Sequence, residues 1–203
     1  MLTIFSRFLL ISFLVFSFVN SGNAMSRIAS KKSDICSLLR LHRGWIRPLK
    51  KVEKKWGIPA HVQLATIWKE SSFTRNARTS RKKIFGFIPG QRRSTAQGYA
   101  QALDGTWREY KKSNGIRFAS RANFGHSVDF IGWYMHNASK SLGISKNDAF
   151  RQYLAYHEGV SGYKRGSHKS KQWLITTAKA VDAKAKLYKG PVSYTHLTLP
   201  TKA

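Results

Sequence analysis

Apolar residues recur along this chain at helical spacing, in blocks separated by Gly, Pro and Ser. Trp45, Ile46, Leu49, Val52 and Trp56 share one stripe, and Pro48 is tolerable because it lies in the first turn. Gly57 ends that helix, and Pro59 opens the next where a missing N–H costs nothing. This second helix carries Val62, Leu64, Ala65, Ile67 and Trp68 and runs into Glu70-Ser71-Ser72. From Arg75 to Arg93 the chain is basic, and Gly86, Pro89 and Gly90 are expected to break any regular element. A helix is expected from Tyr99 to Lys112, and Phe124, Val128, Ile131, Met135 and Ala138 mark another. Ser145 followed by Asp148 resembles a capping box ahead of Phe150, Tyr153 and Leu154. Trp173, Leu174, Thr177, Ala178, Val181 and Ala185 form the last stripe. No strand longer than a few residues and no repeat is expected, so the pattern predicts a single, mainly α domain over 37–189.

The two ends read differently. Arg7, the apolar run from Phe8 to Val19 and the small residues Ser21, Gly22 and Ala24 predict a signal peptide over 1–24, cleaved after Ala24. A short segment, 25–36, follows. Its Cys36 is the chain's one cysteine, which excludes an internal disulfide and is expected to be buried. The apolar run is short for a membrane span, so no stable span is expected after cleavage. Residues 190–203 are β-branched and uncharged until Lys202; they read as a non-native tail without function.

Charge then narrows the partner. With 36 Lys and Arg against 9 Asp and Glu, the net charge is +27, which suits a polyanion. Export to the periplasm or cell envelope argues against nucleic acid and leaves an anionic membrane surface or acidic cell-wall polymer.

So few carboxylates make the search for a catalytic acid short. Asp34 precedes the domain, and Glu53, Glu109 and Asp182 sit among cationic residues as solvated pairs. Asp104, Asp129 and Asp148 fall near expected helix starts, where negative charge is favoured. Glu70 and Glu158 fit neither pattern. Glu70 closes an apolar helix, with Ile67 and Trp68 behind it and Phe73 beyond. The helix dipole and apolar neighbours both favour its protonated form, as a general acid requires. Position alone leaves two readings open, a general acid and a surface glutamate at a helix end.

Three motifs in order bear on that choice. Glu70-Ser71-Ser72-Phe73, with Ala77 and Thr79 after it, resembles the Glu-Ser motif of lytic transglycosylases with the soluble-transglycosylase (SLT, goose-lysozyme-like) domain. Gly98-Tyr99-Ala100-Gln101 resembles the family's Gly-Leu-Met-Gln motif, and Ala155-Tyr156-His157-Glu158-Gly159 its Ala-Tyr-Asn-Ala-Gly motif. The resemblance spans about Trp45 to Lys186. Departures include extra residues between the first two motifs, among them Arg81, Lys82, Lys83, Arg92 and Arg93, and His157 and Glu158 in place of Asn and Ala.

The resemblance implies a lysozyme-like helical domain acting on peptidoglycan glycan strands. Glu70 would protonate the oxygen joining N-acetylmuramic acid to N-acetylglucosamine. It would then accept the proton of the muramic C6 hydroxyl, closing a 1,6-anhydro ring. Gln101 would bind the sugar or position Glu70, Tyr156 would hold the reacting group, and Ser71 and Thr79 would orient the acetamido and lactyl region. The role of Glu158 stays open: a second carboxylate that activates water would make the chain a hydrolytic muramidase. A non-catalytic, cationic wall-binding protein is the other alternative. Trp68, Tyr99, Trp107 and Trp133 are read as core or as sugar platforms, and His157 as a packing histidine. No cofactor is expected, and no His, Cys and Asp spacing resembles a metal site.

Overall fold

A computed structural model describes residues 34–85 and 87–195. The chain divides into two units, the first ending at Leu41 and the second beginning at His42. In the first, helix α1 (Ile35–Leu41) buries Ile35, Leu38 and Leu39. Asp34 receives the Cys36 amide at 2.9 Å and the Ser37 hydroxyl at 2.6 Å, and the Ser37 bond leads in holding its carboxyl below the ordinary range. Cys36, expected to be buried, is half-buried. The signal-peptide expectation, 1–24, lies outside the described residues.

The second unit is helical. A 3₁₀ turn (Arg43–Trp45) leads into α2 (Ile46–Trp56), followed by α3 (Ala60–Ser71), α4 (Asp104–Ser113), α5 (Phe124–Leu142), α6 (Ala149–Lys164) and α7 (Gln172–Thr195). The mainly α, single lysozyme-like domain expected from the sequence is the architecture found. α3 is its centre: Val62, Gln63, Leu64, Ala65, Thr66 and Ile67 are all buried, as a helix enclosed by α2, α5, α6 and α7 requires. Gly132 lets α5 press onto α2. A Cβ there would stand 2.5 Å from Val52 and 2.6 Å from Trp56, so the close approach needs glycine.

Several boundaries differ from expectation. Two strands, β1 (Arg81–Ile84) and β2 (Ile88–Arg92), form an antiparallel ribbon where no regular element was expected. Pro89 and Gly90 are compatible with it because a two-stranded ribbon consists only of edge strands. α4 begins at Asp104 rather than Tyr99, since 98–101 is a tight turn with Gly98 and Gln101 at positive φ. α6 is capped by Asp148, which accepts the Arg151 amide at 2.9 Å; Ser145 instead receives the Asn147 amide at 3.3 Å. Asp129 is not at a helix start. It lies within α5 and binds the Trp56 indole at 2.8 Å and the Tyr110 hydroxyl at 2.6 Å. α7 continues through Pro191 to Thr195 with Val192 buried, past the expected boundary at 189.

Candidate active site

Glu70 is the penultimate residue of α3, and the chain reverses sharply after it. Ser72 and Phe73 both take left-handed backbone angles, φ 48° and 59°. Two consecutive non-glycine residues rarely do so, and the surroundings must hold them there. Phe73 is buried and stacks on Trp45 at 5.9 Å, the Ser72 amide returns to the Trp68 carbonyl, and the Thr74 amide to that of Ser71. Ser71 shares its hydroxyl proton between the Tyr99 carbonyl at 2.9 Å and the Ile67 carbonyl at 3.2 Å. This buried bond joins the end of α3 to the turn holding the second motif.

That turn depends on its glycine. Gly98 has φ 77°, and a Cβ would lie 1.9 Å from the Arg121 carbonyl oxygen, so no other residue fits without displacing backbone. Its amide donates to Ala77 at 2.8 Å, and the Tyr99 amide to Arg121 at 3.3 Å. Gln101 gives both side-chain N–H groups to carbonyls, Gly98 at 2.8 Å and Ala77 at 3.0 Å. Its amide oxygen is the end left to meet a ligand. Thr79 donates to the Ser94 carbonyl at 2.8 Å and so ties the base of the ribbon.

α6 supplies the opposing wall. Tyr156 donates to the Ala100 carbonyl at 2.7 Å, fastening α6 to the same turn. Tyr153, one turn earlier on that face, donates its hydroxyl to Glu70. Burial pushes the Glu70 carboxyl up to about 7, and the Tyr153 bond and the Lys69 charge oppose it only in part. The residue as a whole is half-buried, but its carboxyl end lies in the enclosed region shared with the two tyrosines. Burial, and then the Glu70 charge, raise both tyrosine hydroxyls well above their ordinary range. The arrangement presents a carboxylic acid close to half-protonated at neutral pH, the condition under which one group can both give and take a proton.

Beside it is a recess of about 250 Å³, lined in part by Gln101, Leu103, Phe130, Tyr134, Tyr156 and Glu158. Glu70 is not on its wall; Tyr156 is common to the recess and the surroundings of the carboxyl.

Glu158 has a different environment. Lys171 reaches its two oxygens at 2.8 and 2.9 Å, and the Ser167 hydroxyl and His157 also bind it. The side chain is only 4% exposed, yet hydrogen bonds, that of Lys171 first, outweigh lost hydration and hold the carboxyl down to about 2. It is an ion-paired carboxylate that fixes the loop following α6. Immediately after Glu158, α6 breaks at Gly159, whose φ 73° and ψ 161° form a conformation open to glycine.

The aromatic candidates separate. Tyr99, Trp107 and Trp133 are buried, and Trp68 is half-buried under the Lys184 ammonium at 4.8 Å. Trp173 is not part of the core stripe; it is 57% exposed and meets His157 edge-on at 5.1 Å. His157 is itself exposed rather than packed. Tyr153 carries no site role in the sequence, where it is read only as part of the helix after Asp148, although its spacing of three from Tyr156 puts both on one face. Among the described residues, no group of three or more His, Cys, Asp or Glu is placed to hold a metal ion. No described helix is long and apolar enough to cross a membrane.

A family model described as Transglycosylase SLT domain matches residues 10–193. No curated protein and no solved structure matches the chain. The matched stretch contains all three motifs, with α3, which carries Glu70, and α6, which faces it. The chain therefore belongs to the transglycosylase SLT domain family.

Proposed function

We propose that this chain is a peptidoglycan lytic transglycosylase that uses Glu70 alone as acid and then base. Family membership brings transglycosylase-family action on peptidoglycan, and the observation that carries the finer reading is the buried Glu70 carboxyl, raised to about 7. Protonated Glu70 gives its proton to the oxygen between N-acetylmuramic acid and N-acetylglucosamine, and the C1–O bond breaks with an oxocarbenium-like centre left on the muramic sugar. Glu70, now a carboxylate, takes the proton from that sugar's C6 hydroxyl as O6 bonds to C1. The 1,6-anhydro ring closes and Glu70 returns to its starting state.

The other residues divide between holding and binding. Tyr153 donates to Glu70 and stabilises the carboxylate that forms midway. Ser71 and Tyr156 act as positioning residues, since their hydroxyl protons are engaged by the backbone of the Gly98–Gln101 turn. Gln101 offers its free amide oxygen to a sugar hydroxyl or amide. Thr79, bonded to Ser94, steadies the approach to the site. The reading takes the place of action to be the cell envelope, reached by export.

The hydrolytic alternative needs a second carboxylate near neutrality to activate water. The pairing of Glu158 with Lys171 disfavours it, because a carboxyl held near 2 is a weak base. Mass spectrometry of fragments released from purified peptidoglycan tests the proposal. Anhydro ends are expected, with turnover reduced about 10²-fold or more in Glu70→Gln. Reducing ends from the wild type, or full turnover by the variant, would overturn it.

A further inference from the structure

The ribbon β1–β2 lies between the Glu70 and Gly98 turns, and nothing in the proposed reaction uses it. Its two strands pair with each other alone. At its tip, Phe85 and Phe87 are 84% and 76% exposed. Soluble surfaces seldom leave two large aromatic side chains together in water without a partner. Below them the ribbon is cationic: Arg81, Arg92 and Arg93 are exposed, and from Ser71 to Leu103 there are seven Lys and Arg and no Asp or Glu. The guanidinium of Arg92 reaches back to the Thr79 carbonyl at 2.7 Å, and that of Arg81 to the Gly90 carbonyl at 3.3 Å. These bonds keep both charges on the body of the ribbon, below the aromatic tip.

We infer that this ribbon docks the enzyme on an anionic lipid bilayer, its phenylalanines entering the headgroup–acyl boundary and its arginines meeting lipid phosphates. The layering is the argument. An anionic membrane presents charge at its surface and apolar matter a few ångströms beneath, and apolar side chains beyond a cationic stem match that order. A glycan strand offers no such depth, and sugar platforms line grooves, whereas these rings end a projecting ribbon. The contact is interfacial and involves no spanning helix, in keeping with the absence of a membrane-crossing helix among the described residues. It holds Glu70 near the membrane-facing side of whatever polymer it works on.

Because the whole chain is strongly cationic, binding to anionic vesicles alone does not test the ribbon; the aromatic tip does. The full-length protein and its Phe85→Ser/Phe87→Ser variant are compared by co-sedimentation with phosphatidylglycerol–phosphatidylcholine vesicles and, separately, with purified peptidoglycan. Both positions are exposed and the second unit's core is elsewhere, so fold should be unchanged by circular dichroism. The variant is expected to bind vesicles at least about tenfold more weakly while peptidoglycan binding stays the same. Phe87→Trp should show fluorescence quenching by acyl-brominated lipid beyond that of the wild type. Equal vesicle affinity in the double variant, a loss falling on peptidoglycan instead, or no added quenching would each overturn the inference.

Discussion

Replacing Glu70 by glutamine keeps the shape of the side chain and removes its titration. The consequence for stability follows from the raised carboxyl, from 4.5 to about 7. The folded protein holds that proton more tightly than the unfolded chain does, so the native state is favoured at low pH. This stabilisation is fully present below about 4.5, declines as pH rises and is gone above about 7. A rise from 4.5 to about 7, at about 1.4 kcal/mol for each tenfold change in proton affinity, amounts to roughly 3 kcal/mol. Glutamine carries no charge to desolvate and does not show this decline. Glu70→Gln should therefore gain roughly 3 kcal/mol relative to wild type between pH 4 and pH 8. Urea denaturation of both proteins at the two pH values measures this as a double difference, in which every other titrating group cancels. A difference below about 1 kcal/mol would refute the claim that burial governs this carboxyl. The same variant should be inactive while more stable at pH 8, so the loss of activity cannot be assigned to unfolding.

Four further outcomes follow from the same geometry. Wild-type kcat/KM should fall as pH rises through about 7, because the proposed reaction starts from protonated Glu70. Tyr153→Phe removes the bond that lowers Glu70, so the alkaline limb of that profile should move upward by a measurable fraction of a pH unit. Glu158→Gln should leave anhydro products and slow turnover no more than about tenfold, while thermal unfolding reports a loss of about 2 kcal/mol as Lys171 and Ser167 exchange a charged acceptor for a neutral amide. Binding to anionic vesicles should weaken with salt, and neutralising Arg81, Lys82, Lys83, Arg92 and Arg93 together should flatten the dependence measured by co-sedimentation.

Helix content and the position of Glu70 were legible in the sequence because both rest on local signals. The apolar stripe of α3, the glycine after Trp56 and the proline before Ala60 are all read within a few residues. What was not legible depends on partners far along the chain. The ribbon pairs Arg81 with Arg92, and its ladder comes from backbone groups that the composition of a basic, glycine-containing stretch does not reveal. Asp129 reads as a helix-start charge, yet its partners Trp56 and Tyr110 lie on two other helices. Trp173 falls on an apolar stripe by count, but it sits in the first turn of α7, beside the exposed His157. Tyr153 is buried and also meets Glu70; hydrophobic periodicity cannot separate a core tyrosine from one whose hydroxyl faces an acid.

Two carboxylates thus occupy neighbouring parts of one fold with opposite proton affinities: burial raises Glu70, and hydrogen bonds led by that of Lys171 lower Glu158. Glu70 meets a tyrosine hydroxyl, a partner that eases the cost of burial without cancelling it. Glu158 meets an ammonium and a hydroxyl, which together more than cancel it. Where two such groups are pushed apart, the pair is often an acid and its complementary base. Here the lower member is locked to Lys171 and lies in α6 immediately before the Gly159 break, so a base role would require breaking an ion pair that is only 4% exposed on the carboxylate side. An intramolecular hydroxyl needs no such partner, because the proton acceptor that activates it is the acid that has just been deprotonated. Under that reading the carboxylate content of the chain is sufficient with Glu70 alone, and Glu158 ties α6 to Ser167 and Lys171 in the segment that follows it.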